Sequence, residues 1–357
     1  MKSIPPGGVV GILGGGQLGR MLSLSAARLG MDVKMFAPET DTPAERVSAS
    51  AVQAEYDDIS ALKAFAAQCG VVTFEFENIP AASVEALEAE GVSVFPSSRA
   101  LAMSQDRLTE KSFLQSIGVE PAAFAQIDGP ADILPALKAL GGKGVLKARR
   151  SGYDGKGQAR VDLAADPNEA WAKVGGVPSV LEAFVEFERE ISVVIARDQA
   201  GALAIYDTPE NDHSGGILKS STVPANVSDE IQDNAKRLAA QLANELSYVG
   251  VLALELFVMP DGTLFANEFA PRVHNTGHWT EEACFTSQFE QHMRAVCGWP
   301  LGPVERLCDV RMDNLLGDNE IATWKQLATE GAAPRIYGKR GGGEGRKLGH
   351  VTRVIKP

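Results

Sequence analysis

Two carboxylates stand where apolar side chains are expected. In VLALELFVMPDGTLFANEFAPRVHN, residues 251–275, Glu255 and Glu268 interrupt two apolar runs that flank a Pro260-Asp261-Gly262 turn. Side chains on paired strands alternate between faces, so the register decides which residues meet. A two-residue Asp261-Gly262 loop sets Glu255 directly opposite Glu268, whereas a three-residue loop with a bulge sets it against Asn267. Like charges facing each other across a ladder repel unless a cation lies between them. Oxygen donors of this kind suit Mg²⁺, with nucleotide phosphates completing its shell. The bland alternative, a solvated polar face on an edge hairpin, fits poorly with acidic residues embedded in apolar strands.

A second group, Ser151 to Gln158 (SGYDGKGQ), follows an apolar stretch that carries Lys147. Glycines around Lys156 make a flap whose amides and ammonium could fold over a polyphosphate, although Gly-Lys is not followed by Ser or Thr as a Walker loop requires. Asp-Gly is equally a turn signal, so a solvated hairpin is the competing reading. The third group is GILGGGQLG, where Gly14, Gly16 and Gly19 satisfy G-x-G-x-x-G between a strand and a helix. Such glycines let amides approach a phosphate at a helix N-terminus; a tight turn with no ligand competes. A dinucleotide site also needs an acidic residue ending the second strand. Ala37 and Pro38 stand there, which counts against a nicotinamide cofactor.

Elements must hold these groups in place. Val9 to Leu13, Val33 to Phe36, Val71 to Phe74 and Val92 to Phe95 read as strands separated by helical patterns such as Ile59 to Gln68. That βαβ alternation implies a parallel sheet covered on both faces. Pro96 and Ser97 close the unit, and Leu101 to Gly118 reads as one helix. Antiparallel signals follow in Val145 to Ala148, Val180 to Phe184, Ile191 to Ala196, Leu203 to Tyr206 and Gly216 to Thr222, then a helix capped by Ser228 and running to about Leu246. An α+β region is predicted there. After Pro300 come one helix, Ile321 to Thr329, and the basic, Gly-rich YGKRGGGEGRKLGHVTRV. Three units are expected, over residues 1–100, 101–299 and 300–357.

The 357 residues carry 34 Lys and Arg against 46 Asp and Glu, a formal net charge of −12, with 45% hydrophobic residues. Disorder, collagen and small cystine scaffolds are excluded. The acidic balance argues against a nucleic-acid partner, whose affinity rests on many Lys and Arg contacts to phosphate, so any anion site must be local. Cys69, Cys284, Cys297 and Cys308 show neither CxxC nor zinc-type spacing and read as thiols in a reducing compartment. No signal-peptide pattern opens the chain and no run of about 20 apolar residues occurs, so a cytoplasmic protein without a membrane partner is expected.

Lys147, the GYDGKGQ flap, EAFVEFEREI (Glu182 to Ile191), Glu255 and NEFAPRVHN (Asn267 to Asn275) together resemble the ATP-grasp ligases. GGGQLGRM, FEFEN (Phe74 to Asn78), YGK and GRKLGH narrow the likeness to the 5-(carboxyamino)imidazole ribonucleotide synthase family, over nearly the whole chain. The resemblance implies an ATP-grasp fold, α/β and α+β, with an N-terminal Rossmann-like parallel-sheet domain and a small C-terminal domain. It implies ATP and Mg²⁺ as cofactors, 5-aminoimidazole ribonucleotide and bicarbonate as the other small molecules, and a homodimer.

Laid on matching positions, it implies that Arg107, Lys147 and the flap residues Gly152, Tyr153, Asp154, Gly155, Lys156, Gly157 and Gln158 hold the ATP phosphates. Glu182, Ala183, Phe184 and Val185 would line the adenine slot, and Glu190 would accept from the ribose hydroxyls. His213 would lie near the nucleotide, although a lone His on a polar loop also reads as solvated. Glu255 and Glu268 would bind Mg²⁺ with Asn267 beside them. The ribonucleotide would meet Gln17, Leu18, Glu77, Tyr153, Asp154, Arg272, His274 and Asn275, with its phosphate on Lys339, Arg346 and Lys347. The catalytic set would be Arg272, His274 and Lys156.

The chemistry so implied follows from charge. Bicarbonate is a poor electrophile, so its oxygen must first attack the γ-phosphate, giving carboxyphosphate and ADP while the protein neutralises the charge on the transferring group. Breakdown to CO₂ beside the exocyclic amine then calls for a closed flap that excludes water. Three other functions share parts of the pattern. A formate-dependent glycinamide ribonucleotide transformylase would share the nucleotide machinery, a nucleotide sensor would lack Glu255, Glu268 or Lys147, and a nicotinamide oxidoreductase is disfavoured by Ala37.

Overall fold

The computed structural model describes residues 3–150, 157–329, 331–343 and 345–356. Val9–Leu13 and Val71–Phe74 pair in a four-stranded parallel sheet ordered Ser50–Gln53, Asp32–Ala37, Val9–Leu13, Val71–Phe74. The edge strand Ser50–Gln53 carries no sequence signal, because its side chains are mostly exposed and need not be apolar. Val92 to Phe95 does not form the expected strand. It makes an isolated bridge from Val94 to Val72, and Pro96, lacking an N–H, cannot extend the ladder.

The expected helix over Leu101 to Gly118 is two helices, Ser98–Ser104 and Arg107–Ser116. Asp106 takes an extended backbone, and its Oδ1 accepts from the amides of Leu108 at 3.0 Å and Thr109 at 3.2 Å, which caps the second helix and ends the first. The expected helix over Ile321 to Thr329 likewise divides, into Gly317–Ile321 and Trp324–Thr329. The Thr323 hydroxyl between them donates to Glu320 O at 2.7 Å, a local bond that competes with helix continuation.

A small antiparallel sheet, ordered Phe124–Ile127, Ser179–Ala183, Lys143–Ala148, Gln158–Asp162, buries Leu146, Val161 and Leu181 against helices Ile133–Ala139 and Pro167–Lys173. The largest sheet has nine strands. Its order is Leu264–Ala270, Gly250–Val258, Arg189–Arg197, Glu210–Ser214, Ile217–Val223, Asp309–Leu316, Lys347–Lys356, Ala333–Ile336, with Leu203–Ile205 alongside Arg189–Arg197. Residues after Pro300 are thus hydrogen-bonded into the same sheet, through pairs such as Ser220 with Asp313. One face packs Ile191, Val193 and Leu254 against helix Asp229–Glu245, whose N-cap is Ser228. The other packs Val194, Val251 and Ala253 against helix Gln288–Val296.

Among the described residues no helix is long and apolar enough to cross a membrane, and none of the four cysteines is in a disulfide.

Candidate active site

The hairpin that carries the two glutamates uses both registers read from its sequence. Met259 N–H donates to Thr263 O at 2.9 Å, so Pro260, Asp261 and Gly262 form the loop, with Gly262 at φ +83. Near the turn Leu256 pairs with Ala266; farther on, Leu254 pairs with Phe269. The shift between them sets Asn267 and Glu268 together opposite Glu255, a bulge that re-aims side chains. Burial, and then the Glu268 charge, push the Glu255 carboxyl above its ordinary range. Burial acts on Glu268 in the same direction, but the Arg107 guanidinium at 2.6 Å outweighs it and holds that carboxyl low. Asn267 Nδ2 lies 3.5 Å from Glu255 Oε2, while Asn267 Oδ1 is buried without a hydrogen-bond partner.

Helix Arg107–Ser116 binds this hairpin to the small sheet. Arg107 holds Glu268; Glu110 Oε1 accepts from Phe269 N–H at 2.7 Å; Lys111 Nζ donates to Asn267 O at 3.0 Å. Lys111 also lies 3.2 Å from Glu182 Oε1, as an ion pair without hydrogen-bond geometry, and Lys147 Nζ donates to Glu182 Oε2 at 2.9 Å. Burial raises Glu182, yet these two ammonium groups bring it below the carboxylate range. Glu110 and Lys111 are fully buried, and sequence reasoning missed both. A Glu and a Lys in a helix read as a solvated face unless the partner strand is known.

The chain then leaves the hairpin through Arg272 to Asn275. Arg272 meets Glu77 with two prongs, Nη2 to Oε1 at 3.0 Å and Nε to Oε2. His274 Nε2 faces Glu255 Oε1 at 3.4 Å. Its Nδ1 receives the Thr276 backbone N–H at 3.5 Å and lies 2.9 Å from the Thr276 hydroxyl, so the neutral ring carries its proton on Nε2. Burial, with Arg272 and Lys347 adding to it, drives the ring's pKa down to about 3. Asn275 and Asn314 exchange amide bonds at 2.9 and 2.8 Å.

The glycine-rich turn is filled from within the protein. Gly16 N–H donates to Glu75 Oε1 at 2.5 Å and Gly19 N–H to Glu75 Oε2 at 2.8 Å, so an internal carboxylate takes the amide donors that a phosphate would use. A Cβ on Gly14 would overlap Glu75 Cγ. Gln17 and Leu18 open the helix just beyond, with Leu18 buried.

Gly152, Tyr153, Asp154, Gly155 and Lys156 lie outside the described residues. Gly157, at φ +68, accepts from Ala148 N–H, and Gln158 pairs with Lys147. Ala183 ends its strand, and the Arg160 guanidinium sits 5.5 Å from the centre of the Phe184 ring, with Val185 following. Phe257, two residues beyond Glu255, stacks on Phe187 with centroids 4.6 Å apart.

His213 lies in strand Glu210–Ser214 rather than on a loop, because ENDHS, though polar, pairs on both sides. Its Nδ1 is 2.7 Å from Glu190 Oε2, and although burial lowers its pKa, that carboxylate raises it overall. Lys347 begins the strand Lys347–Lys356 and lies near enough to depress both His213 and His274. Lys339 Nζ lies 5.9 Å from the centre of the Tyr337 ring, and Arg346 folds onto the carbonyls of Arg340 and Gly341. Lys339 and Arg346, expected to meet a phosphate, thus make local contacts, whereas Lys147, Glu182, Lys111, Asn267, Glu255 and His274 are linked contact to contact, with Arg107 joined through Glu268, the neighbour of Asn267.

The oxygen donors at the bulge fit a hard divalent cation. Two carboxylates and the unpartnered Asn267 oxygen supply too few ligands alone, since no group of three or more His, Cys, Asp or Glu ligands occurs among the described residues. That set matches the incomplete protein shell Mg²⁺ accepts when phosphates complete it.

Residues 8–105 match the ribonucleotide synthetase preATP-grasp domain, 112–289 the ATP-grasp domain and 311–356 the phosphoribosylaminoimidazole carboxylase C-terminal domain. The N5-carboxyaminoimidazole ribonucleotide synthase of Brucella melitensis is 50% identical over 357 residues, covering 99% of this chain and 98% of its own. A crystal structure of N5-carboxyaminoimidazole ribonucleotide synthetase from Thermus thermophilus matches with a TM-score of 0.90 at 42% identity, over 98% of this chain and 94% of that one. The Aspergillus clavatus synthase, in complex with ADP and 5-aminoimidazole ribonucleotide, matches with a TM-score of 0.92 at 30% identity, again over 98% and 94%. The chain belongs to the N5-carboxyaminoimidazole ribonucleotide synthase family and has its ATP-grasp fold.

Proposed function

We propose that this chain uses ATP and bicarbonate to carboxylate 5-aminoimidazole ribonucleotide, giving the N5-carboxyamino product, ADP and phosphate. One observation carries the reading: the bulge gathers Glu255, Asn267 and Glu268 near the partly buried Lys147–Glu182 pair, with Arg272 and His274 following directly on the same chain. Cations for a triphosphate and a position for a second reactant are therefore adjacent. Mg²⁺ held by Glu255 and Glu268 would neutralise charge on the β- and γ-phosphates.

In this reading Lys147 and Arg107 steady the triphosphate, and Glu255 and Glu268, with the Asn267 oxygen beside them, would hold the cation. The flap from Gly152 to Lys156, with Gly157 and Gln158, covers the phosphates, and Lys156 is its cation. Glu182, Ala183, Phe184 and Val185 line the adenine slot; Glu190 takes the ribose hydroxyls, with His213 beside it. Bicarbonate oxygen attacks the γ-phosphorus, and ADP leaves. Arg272 anchors the small anion, and two negative reactants meet only because such charges are arranged beforehand. Carboxyphosphate then splits at its carbon–oxygen bond to CO₂ and phosphate, and the amine attacks the CO₂ carbon.

The amine must lose a proton, and His274 is its proposed acceptor. Its ring is neutral, as a base must be; Nε2 already carries a proton, so Nδ1, beside the Thr276 hydroxyl, is the nitrogen that would take up the second one, and the anionic phosphates and carboxyphosphate nearby would raise its affinity for that proton. Gln17, Leu18, Glu77, Tyr153, Asp154 and Asn275 meet the ribonucleotide, and Lys339, Arg346 and Lys347 its phosphate.

A homodimer in a reducing, cytoplasmic setting belongs to the same reading; the family resemblance and the four unpaired cysteines support it. Sedimentation at the mass of a single chain would contradict the dimer.

The test of function is ADP release with the ribonucleotide and bicarbonate each left out in turn, and with formate in place of bicarbonate. Full release is expected only with bicarbonate and the ribonucleotide together; release driven by formate would overturn the assignment. For His274, a His274→Asn variant that kept full turnover while binding the ribonucleotide normally would exclude it as the proton acceptor.

A further inference from the structure

We propose that Gln288 is a positioning residue for the carboxylation step, fixing the backbone at His274 and through it the aim of Arg272 and His274. The proposal rests on the reading that this loop meets the ribonucleotide. Gln288 is the first residue of helix Gln288–Val296 and is fully buried. Its Oε1 accepts from His274 N–H at 2.9 Å, while its Nε2 donates to His274 O at 2.7 Å and to His278 Nδ1 at 3.0 Å.

A primary amide has one acceptor oxygen and two donor hydrogens, and all three are used here. Turning the amide over would set N–H against N–H and oxygen against oxygen, so its orientation is fixed. One side chain thereby pairs with both the N–H and the C=O of residue 274, as a neighbouring strand would.

The surroundings are built around that amide. A Cβ on Gly277 would stand 2.7 Å from Gln288 Oε1, so glycine leaves the space the amide fills. Gln288 N–H donates to Thr280 Oγ1 at 2.9 Å, and that hydroxyl donates to Gly277 O at 2.7 Å. Thr276 and Thr280 are fully buried. Water cannot replace the lost bonds in such a place, and residue 274 would shift to find partners if the amide were removed.

The same helix supplies a control. Gln291, also fully buried, accepts from Gly302 N–H at 2.8 Å and donates to Gly302 O at 2.8 Å. The chemistry is alike, but Gly302 lies outside the loop that carries Arg272 and His274. Removing Gln291 therefore reports what losing a buried amide clamp does to the fold alone.

The experiment compares Gln288→Met with Gln291→Met in kcat, KM for the ribonucleotide, KM for ATP, ADP formed per carboxylated product, and melting temperature. Both variants should melt earlier. Gln288→Met alone should lower kcat/KM for the ribonucleotide roughly tenfold to a hundredfold, with KM for ATP within about twofold and ADP formed in excess of product. Should Gln288→Met not fold, Gln288→Glu keeps the acceptor and loses the donors, and the same direction is expected from it.

Matching kinetic profiles for the two positions, or wild-type kinetics after loss of the Gln288 amide, would overturn the proposal. Amide hydrogen exchange at His274 is read in parallel and does not depend on turnover. Faster exchange in the Gln288 variant but not in Gln291→Met is expected, and equal exchange in both overturns the clamp. Absence of ribonucleotide-dependent turnover in the wild type would instead strike at the functional reading.

Discussion

Arg272 and Glu77 form a two-pronged ion pair between the chain that leaves the Glu255–Glu268 hairpin and the loop after strand Val71–Phe74 of the parallel sheet. Guanidinium and carboxylate match in plane and spacing, a geometry an ammonium cannot reproduce. Burial raises the Glu77 carboxyl, but Arg272 draws it below its usual range. An Arg272→Lys change keeps the charge and loses the fork. The expected outcome is a fall in kcat/KM for the ribonucleotide of roughly tenfold to a hundredfold, the equivalent of about 1.5–3 kcal/mol for a charged hydrogen bond. Steady-state kinetics check it, and activity equal to wild type would contradict it.

Glu75 sets a second expectation. Two amides of the glycine-rich turn donate to it, and replacing it by Ala leaves both without acceptors in a buried site. Glu75→Ala should destabilise the protein by about 2 kcal/mol or more. Gly16→Ala should do likewise, since its Cβ would stand 2.5 Å from Glu75 Oε1. Denaturant titration measures both, and unchanged midpoints would contradict the role of Glu75 as acceptor for the turn.

The bulge carboxylates give a third. Glu255→Gln and Glu268→Gln each remove one anionic oxygen from the proposed Mg²⁺ site. Each should raise the Mg²⁺ concentration needed for half-maximal ADP release roughly tenfold or more, and chelation with EDTA should abolish release from the wild type. Release indifferent to chelation would remove the metal from the scheme.

Buried histidines make stability depend on pH. Val251 N–H donates to His292 Nδ1 at 3.0 Å, so Nε2 carries the proton shared with Thr73 Oγ1 at 2.8 Å, and the ring must stay neutral. Burial lowers its pKa from 6.5 to about 3. Between those values the unfolded chain binds a proton that the folded chain does not. The contribution is therefore complete above about pH 6.5 and is lost as pH falls toward 3, at up to about 1.4 kcal/mol per pH unit. His292→Gln should reduce the slope of unfolding free energy against pH between about 6 and 4 relative to wild type. Equal slopes would contradict this.

Much of this was legible in the residues themselves. The apolar strands Val9–Leu13 and Val71–Phe74 announce a parallel sheet, and Glu255 and Glu268 stand out because acidic side chains are rare in apolar runs. The choice between the direct register and the bulge stayed open because a register shift depends on how both strands pair with their neighbours, and each of the two local readings holds on one side of Glu255. Glu75, Lys111 and Gln288 escaped for a different reason. Their partners, Gly16, Asn267 and His274, are distant in sequence or on another element, so nothing local reveals the bond until the fold brings the partner to it. Strand Glu210–Ser214 escaped because polar side chains suppress the usual strand signal even when both edges are paired.

The most direct test follows the oxygen. With bicarbonate labelled with ¹⁸O, attack on the γ-phosphorus and later carbon–oxygen cleavage leave one bicarbonate oxygen on the phosphate released. Mass spectrometry of inorganic phosphate after turnover with the ribonucleotide should find that label in step with product. Phosphate free of ¹⁸O, with carboxylated product accumulating, would contradict a carboxyphosphate route.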